Sequence, residues 1–63
     1  MTLQIVGCEM EVFEDPFTRE KSEGRARITK VVREGEVDGI IWADCWVMFD
    51  GETNEYYRTI AHL

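Results

Sequence analysis

The fold class is decided by the stretch from residue 40 to residue 51, which reads IIWADCWVMFDG. If its residues alternate as a β-strand does, the stretch is apolar on both faces. One face carries Ile41, Ala43, Cys45, Val47 and Phe49, and the other carries Ile40, Trp42, Trp46 and Met48. Asp-Gly after such a run is a strong hairpin signal. The stretch therefore predicts a strand over Ile40–Phe49 that ends in a tight turn at Asp50-Gly51.

An apolar period of two continues on both sides of this stretch. It predicts strands over residues 3–13, 25–33 and 56–60, with Gly7 as a bulge that divides the first of them. A long polar loop at about residues 14–24 begins around Asp15-Pro16, and a glycine-containing turn is predicted at residues 34–39. No segment has the 3.6-residue period of a helix. The sequence thus predicts one all-β domain, residues 1–63, of four to five antiparallel strands.

The same alternation predicts which side chains form the core. In the strand at residues 25–33, Ala26, Ile28 and Val32 share one face, whereas Arg25, Arg27 and Arg33 lie on a wet basic face. The predicted core consists of Met10, Val12, Ile28, Val32, Ile41, Val47, Phe49 and Ile60.

Three segments carry a resemblance to a known fold: VFEDP at residues 12–16, EGRARI at residues 23–28 and WVMFDG at residues 46–51. An EG-x-A-x-I strand after a long loop, followed by a W-V-x-F-DG hairpin, is similar to small SH3-like β-barrels. The resemblance spans most of residues 8–60 and concerns the fold. It implies a closed barrel, in which no sheet edge is left open, and binding of peptides, nucleic acids or other domains without catalysis. The chain has no A-L-Y-D-Y strand, so polyproline binding is not expected.

Composition narrows the classes of function. The chain has 63 residues, a net charge of −6 and two cysteines. Residues 19–33 hold six basic residues against two acids, and the remainder holds one arginine against eleven acids. An acidic chain is not expected to bind nucleic acid, because phosphate contacts dominate that affinity. There is no apolar run of the about 20 residues that a membrane span needs, and no signal-peptide pattern at the start. We therefore predict a cytoplasmic protein without membrane contact, in which Cys8 and Cys45 are buried, reduced thiols.

No group of residues predicts catalysis, a cofactor or a metal. His62 lies one residue before the end of the sequence and is interpreted as a frayed surface side chain, since a general base needs an oriented partner. The only serine, Ser22, lacks a G-x-S-x-G context. The acids around Asp50-Gly51 resemble a calcium loop only in part, because Glu55 stands where that loop needs glycine. The expected protein is not an enzyme.

Two sets of residues are candidates for a binding site. If the odd-numbered residues of the strand at 40–49 enter the core, Trp42, Trp46 and Met48 face outward, where aromatic side chains often form interfaces. The alternative is that a tryptophan plugs an open barrel end or that a bulge changes the register, and both interpretations carry equal weight. Arg25, Arg27 and Arg33 form a candidate contact for an anion or an acidic partner. The alternative for them is a solvated face that pairs with Glu9, Glu11 or Glu34.

These observations predict a non-catalytic binding module that engages a protein partner, or a second copy of itself, through an aromatic patch. The alternative function is an acidic mimic of nucleic acid that inhibits a basic DNA- or RNA-binding protein. Its carboxylates would come from Glu9, Glu11, Glu14, Asp15, Asp44, Asp50, Glu52 and Glu55.

Overall fold

A computed structural model describes residues 4–63. It contains four strands, β1 (Glu9–Phe13), β2 (Ser22–Val37), β3 (Ile40–Phe49) and β4 (Glu55–Ile60). They form one antiparallel sheet in the order β1-β2-β3-β4. The predicted all-β class is confirmed, and the predicted bounds of the third strand are those of β3. β1 and β4 are the two edges of the sheet, which is not closed into a barrel.

The core lies on one face of the sheet, which we call the core face. It carries the odd-numbered residues of β3, as the alternation predicts, and Ala43, Cys45 and Val47 have no exposed surface. The neighbouring strands add four buried apolar side chains: Val12, Ala26, Ile28 and Ile60. Of the predicted core, Val12, Ile28, Val47 and Ile60 are buried, while Met10, Ile41 and Phe49 are partly buried.

β2 departs from strict alternation at two bulges. The register shifts between Ile28 and Lys30 and again between Val31 and Arg33. Each shift adds one residue to β2, so the spacing of its core-facing residues changes from two to three. Val31 therefore packs against the core, whereas Val32 is 47% exposed. The prediction of Val32 as a core residue is wrong for this reason.

The first two connections are shorter than predicted, whereas the third, residues 50–54, is longer than the predicted tight turn at Asp50-Gly51. β2 continues to Val37, and Asp38 and Gly39, with φ of 49° and 80°, form a two-residue hairpin to β3. Positive φ at both positions suits the twist of the flanking strands. The loop between β1 and β2 covers residues 14–21 instead of 14–24. In that loop the Asp15 carboxylate accepts the N–H groups of Phe17 and Thr18 at 2.9 and 3.2 Å, which lowers the pKa of Asp15.

The first strand begins later than predicted. Gly7 has a φ of 91°, and β1 starts only at Glu9. The predicted start at Leu3 lies outside the described residues. Gly7 N–H donates to the Ile28 carbonyl oxygen at 2.8 Å, and Ile28 N–H donates to the Cys8 carbonyl oxygen at 2.9 Å, so Gly7 and Cys8 together oppose Ile28 in a bulge, as predicted at Gly7. Cys8 is exposed. The prediction of two buried thiols is thus wrong for Cys8 and confirmed for Cys45, and both cysteines are free.

Long β2 curls over the core face and brings its first residues near β4. Glu23 of β2 receives two hydrogen bonds from the Arg58 guanidinium of β4, at 2.8 and 3.0 Å. The guanidinium also lies over the Phe49 and Tyr56 rings, 5.9 and 5.6 Å from their centroids. The molecule remains thin, with principal dimensions of 34 × 26 × 15 Å. This leaves the opposite side of the sheet, which we call the outer face, without a second layer.

Candidate functional site

The outer face is centred on an exposed aromatic pair. Trp46 of β3 lies directly opposite Tyr57 of β4 in the register of the sheet. Their rings meet edge to face, with centroids 5.4 Å apart and an interplanar angle of 67°. Although each ring covers part of the other, Trp46 is 38% exposed and Tyr57 is 44% exposed. Such pairs are worth about 0.5–1.5 kcal/mol beyond the area they bury, so the pair presents a fixed aromatic surface to solvent.

Trp42 lies on the same face of β3 as Trp46, with Asp44 between them, and covers a glycine. Its register partner is Gly35 of β2. A Cβ atom at Gly35 would lie 2.5 Å from Trp42 Cζ2 and 2.8 Å from Cε2. The indole therefore occupies the space that any other side chain at position 35 would need. This contact fixes the ring of Trp42 and explains why it is partly buried although it does not point into the core.

Asp44 separates the two tryptophans and is only 5% exposed. Its Oδ1 accepts the Thr59 hydroxyl at 2.5 Å, and its Oδ2 accepts Arg33 Nε at 2.6 Å. These two bonds, with Thr59 as the larger influence, lower the pKa of Asp44 below its ordinary value of 3.8. Asp44 is thus an ionised carboxylate that joins β2, β3 and β4 beneath the aromatic surface. Exposed ion pairs usually contribute little to stability, but the Asp44 carboxylate is buried and both of its oxygens accept hydrogen bonds, so this pair holds the three strands together.

A row of cations on β2 runs beside the aromatic residues. We call Arg25, Arg27, Lys30 and Arg33 the basic row. Register pairs place Arg27 opposite Met48, Lys30 opposite Trp46 and Arg33 opposite Asp44. The two candidate sets predicted from the sequence, Trp42, Trp46 and Met48 and Arg25, Arg27 and Arg33, therefore lie side by side on one face.

The partners of the basic row differ in part from the predicted ones. Arg27 Nη2 lies 3.9 Å from Glu9 Oε2, and Arg25 donates to the Glu9 carbonyl oxygen at 3.4 Å. The predicted pairing with Glu9 is thus present for Arg27, at a long distance. Arg33 pairs with Asp44, because the bulges of β2 place Glu34 opposite Ala43 on the core face.

One line of residues across the sheet carries a cation and an acid on opposite sides of Met48. Glu9 of β1, Arg27 of β2, Met48 of β3 and Glu55 of β4 are successive register partners. Glu55 Oε1 accepts the Thr29 hydroxyl at 2.5 Å, and that hydroxyl oxygen is also 3.1 Å from the Trp46 carbonyl oxygen. Met48 therefore lies between a cation and an anchored carboxylate.

The sequence did not indicate Tyr57 or Lys30 as part of this face, nor the structural role of Asp44. Glu55 was a candidate only as one carboxylate of an acidic mimic. The sequence contained a signal for Tyr57, because a hairpin with its tip at Asp50-Gly51 pairs β3 with β4, the strand that contains Tyr57. The loop of residues 50–54 is longer than a two-residue hairpin, however, and this length sets the register that places Tyr57 opposite Trp46. Lys30 reaches the outer face only because of the bulge beside Ile28.

The remaining candidate residues lie elsewhere and do not assemble. His62 Nε2 donates to the Phe17 carbonyl oxygen at 2.9 Å, so His62 is tied to the loop of residues 14–21. It borders a cleft of about 360 Å³ between the β1 and β4 sides. Burial raises the pKa of the Cys45 thiol to about 11, which leaves it unreactive. Over residues 4–63, no three histidine, cysteine or acidic side chains group closely enough to hold a metal ion.

Comparison with known proteins adds no relative: no protein-family model, no curated protein and no solved structure matches this chain. In the part of the chain that the structure describes, no helix has the length and apolar character needed to cross a bilayer.

Proposed function

We propose that this protein is a non-catalytic binding module whose outer face engages a protein partner through Trp42, Trp46, Met48 and Tyr57. The observation that carries the proposal is the exposed edge-to-face pair of Trp46 and Tyr57 in the middle of an unpaired sheet face. Aromatic side chains near the centre of an interface dominate binding energies because they bury large areas at low entropic cost.

The surroundings of this pair favour binding over a purely structural role. Trp42 is held against Gly35, and Asp44 is bonded to Arg33 and Thr59. A surface whose side chains are already fixed loses less entropy when a partner binds. An apolar face that is only exposed to water gains nothing from having its side chains held in place, and it carries the risk of aggregation.

The charges beside the aromatic residues favour a protein over nucleic acid. Arg33 is bonded to Asp44, and Arg27 lies near Glu9, so half of the basic row already faces a carboxylate. Binding to phosphates would have to compete with these pairs and with a net charge of −6. The acidic-mimic alternative has less support, because its carboxylates include buried Asp44, bonded Glu55 and Glu9 beside Arg27.

The proposal also includes an SH3-like fold and a cytoplasmic location. The likeness to SH3-like domains is supported by the bent, bulged β2 and by the way Arg58 draws β4 towards Glu23. A cytoplasmic location is supported by two free thiols, one of them exposed.

The experiment compares capture of partners by the parent protein, by Trp46→Ala and by Phe17→Ala. Phe17 is a matched control because it is 41% exposed but belongs to the loop of residues 14–21. We expect proteins bound by the parent to be lost with Trp46→Ala and retained with Phe17→Ala, while both variants keep a cooperative thermal transition. Equal capture by all three proteins contradicts the proposal. If Trp46→Ala unfolds, Trp46 is part of the core and the proposal fails as well.

A further inference from the structure

We infer that the partner of the outer face is a second copy of this chain, packed face to face so that two sheets form a sandwich. This inference rests on the proposed function of the outer face and names its occupant. It follows from the layers of the fold, from the size of the face and from its charge pattern.

The sheet has apolar side chains on both faces, but the chain covers only the core face. Domains bury the apolar face of a sheet against another layer. Here the core face is covered by the chain itself, but β3 is apolar on both faces, and Trp46, Tyr57 and Val37 stay exposed on or beside the outer face. A second sheet about 10 Å away would cover them. An identical chain offers an equally apolar surface.

The outer face spans most of the molecule's length and width. The two longer dimensions of the molecule are 34 and 26 Å, and they bound the outer face. A standard stable interface buries about 800 Å² on each partner. These dimensions bound an area close to that value, so an interface of standard size would cover most of the outer face. A chain of 63 residues also gains from association the stability that its small core lacks.

The charges on the outer face favour one of two ways of stacking the two sheets. A two-fold axis that relates two stacked faces lies in the plane between them. If it runs across the strands, β2 lies over the partner's β2, and the basic row meets itself. If it runs along β3, β2 lies over the partner's β4, which carries Glu55. Like charges in contact oppose association, so the axis along β3 is favoured.

This arrangement makes definite pairs. Because Arg27, Met48 and Glu55 form one register line, Arg27 faces the partner's Glu55, and Met48 faces the partner's Met48. The Thr29 hydroxyl binds Oε1 of Glu55, so the contact with the partner's Arg27 uses Oε2 and competes only with the long contact of 3.9 Å between Arg27 and Glu9. In the next line Lys30 lies over the partner's Tyr57, where a cation can contact an aromatic ring. Trp46 meets the partner's Trp46 near the axis. Asp44 also meets its counterpart, but Arg33 balances its charge.

The experiment measures the dimer dissociation constant by sedimentation equilibrium for a set of charge variants. We expect the parent to dimerise, and Arg27→Glu and Glu55→Arg each to weaken association at least tenfold because each creates two like-charge contacts. Mixing these two single variants, or combining both substitutions in one chain, should restore the dimer. Arg25→Glu is the matched control. This substitution makes the same change of charge, but Arg25 lies beyond the first residue of the partner's β4. We therefore expect it to change the dissociation constant little.

Each other outcome overturns a defined part of the inference. A parent that stays monomeric at every concentration excludes the second copy as occupant, whereas the proposed function survives if Trp46→Ala still abolishes capture of another protein. Stronger association of Arg27→Glu contradicts the axis along β3, because it relieves repulsion between facing basic rows. Equal weakening by Arg25→Glu and Arg27→Glu shows an effect of net charge and removes the pairing of Arg27 with the partner's Glu55.

Discussion

Gly35→Ala tests the placement of Trp42 on the outer face. Gly35 lies inside β2, and its φ is not in the left-handed region, so alanine suits the backbone. The added Cβ atom, however, would lie 2.5 Å from Trp42 Cζ2, 2.8 Å from Cε2 and 3.1 Å from Nε1. Carbon atoms in contact are normally about 3.5–4.0 Å apart. The indole must therefore shift by about 1 Å or tilt away from β2.

Two opposing effects set the magnitude. Overpacking a fixed side chain costs about 1–3 kcal/mol. Replacing glycine with alanine at a compatible position gains about 0.4–1 kcal/mol, because the unfolded chain loses conformational entropy. We expect the steric effect to prevail and the free energy of unfolding to fall by about 1–2 kcal/mol. For a domain of this size, that loss lowers the melting temperature by roughly 4–8 °C per kcal/mol.

The assay is urea unfolding followed by far-ultraviolet circular dichroism, in the parent and in a Trp42→Ala background. Without the indole, the same Gly35→Ala change should become neutral or stabilising, so the sign of its effect should reverse between the two backgrounds. If Gly35→Ala stabilises the parent, or destabilises both backgrounds equally, Trp42 does not cover Gly35 and the register of β2 and β3 on the outer face is wrong.

Three further outcomes follow from particular side chains. A thiol reagent added to the native protein should label Cys8 quickly and Cys45 only after unfolding, because Cys45 is buried and its pKa is about 11; rapid labelling of both would contradict its burial. Asp44→Asn should destabilise the protein at neutral pH. The difference in stability from the parent should shrink as the pH falls below 3.8, because the ionised Asp44 carboxylate stabilises the fold and is lost on protonation. A difference that does not change with pH would exclude this role. Phe49→Ala should cost about 3 kcal/mol, since Phe49 packs against the core, Tyr56 and Arg58; a melting temperature within a few degrees of the parent would show that Phe49 is not part of the packed side.

The sequence predicted best where alternation is unbroken. β3 is regular from Ile40 to Phe49, so the division of its residues between two faces was predicted correctly, with Val47 in the core. Whether Trp46 is exposed was left open by the sequence, and the structure places it on the outer face. β2 was predicted less well because its bulges depend on how it pairs with β3, and a single sequence does not reveal that pairing. Val32 was therefore placed inside and Lys30 was overlooked.

The candidate site was predicted in its residues but not in its assembly. Trp42, Trp46 and Met48 follow from β3 alone, and Arg25, Arg27 and Arg33 follow from the polar face of β2. That the two sets adjoin depends on sheet order and register, which are tertiary properties. Asp44 illustrates the limit most clearly, since a lone acid between two tryptophans has meaning only once Arg33 and Thr59 are seen to bind it.

The central claim is that association covers the outer face at Trp46. It is tested most directly by acrylamide quenching of tryptophan fluorescence in Trp42→Phe, which leaves Trp46 as the single tryptophan. We predict that the quenching constant of Trp46 falls as protein concentration rises, following the same dissociation constant as the mass, because the partner's outer face excludes the quencher. A quenching constant that stays the same while the protein changes from monomer to dimer would show that the chains associate through another surface, and would contradict the claim.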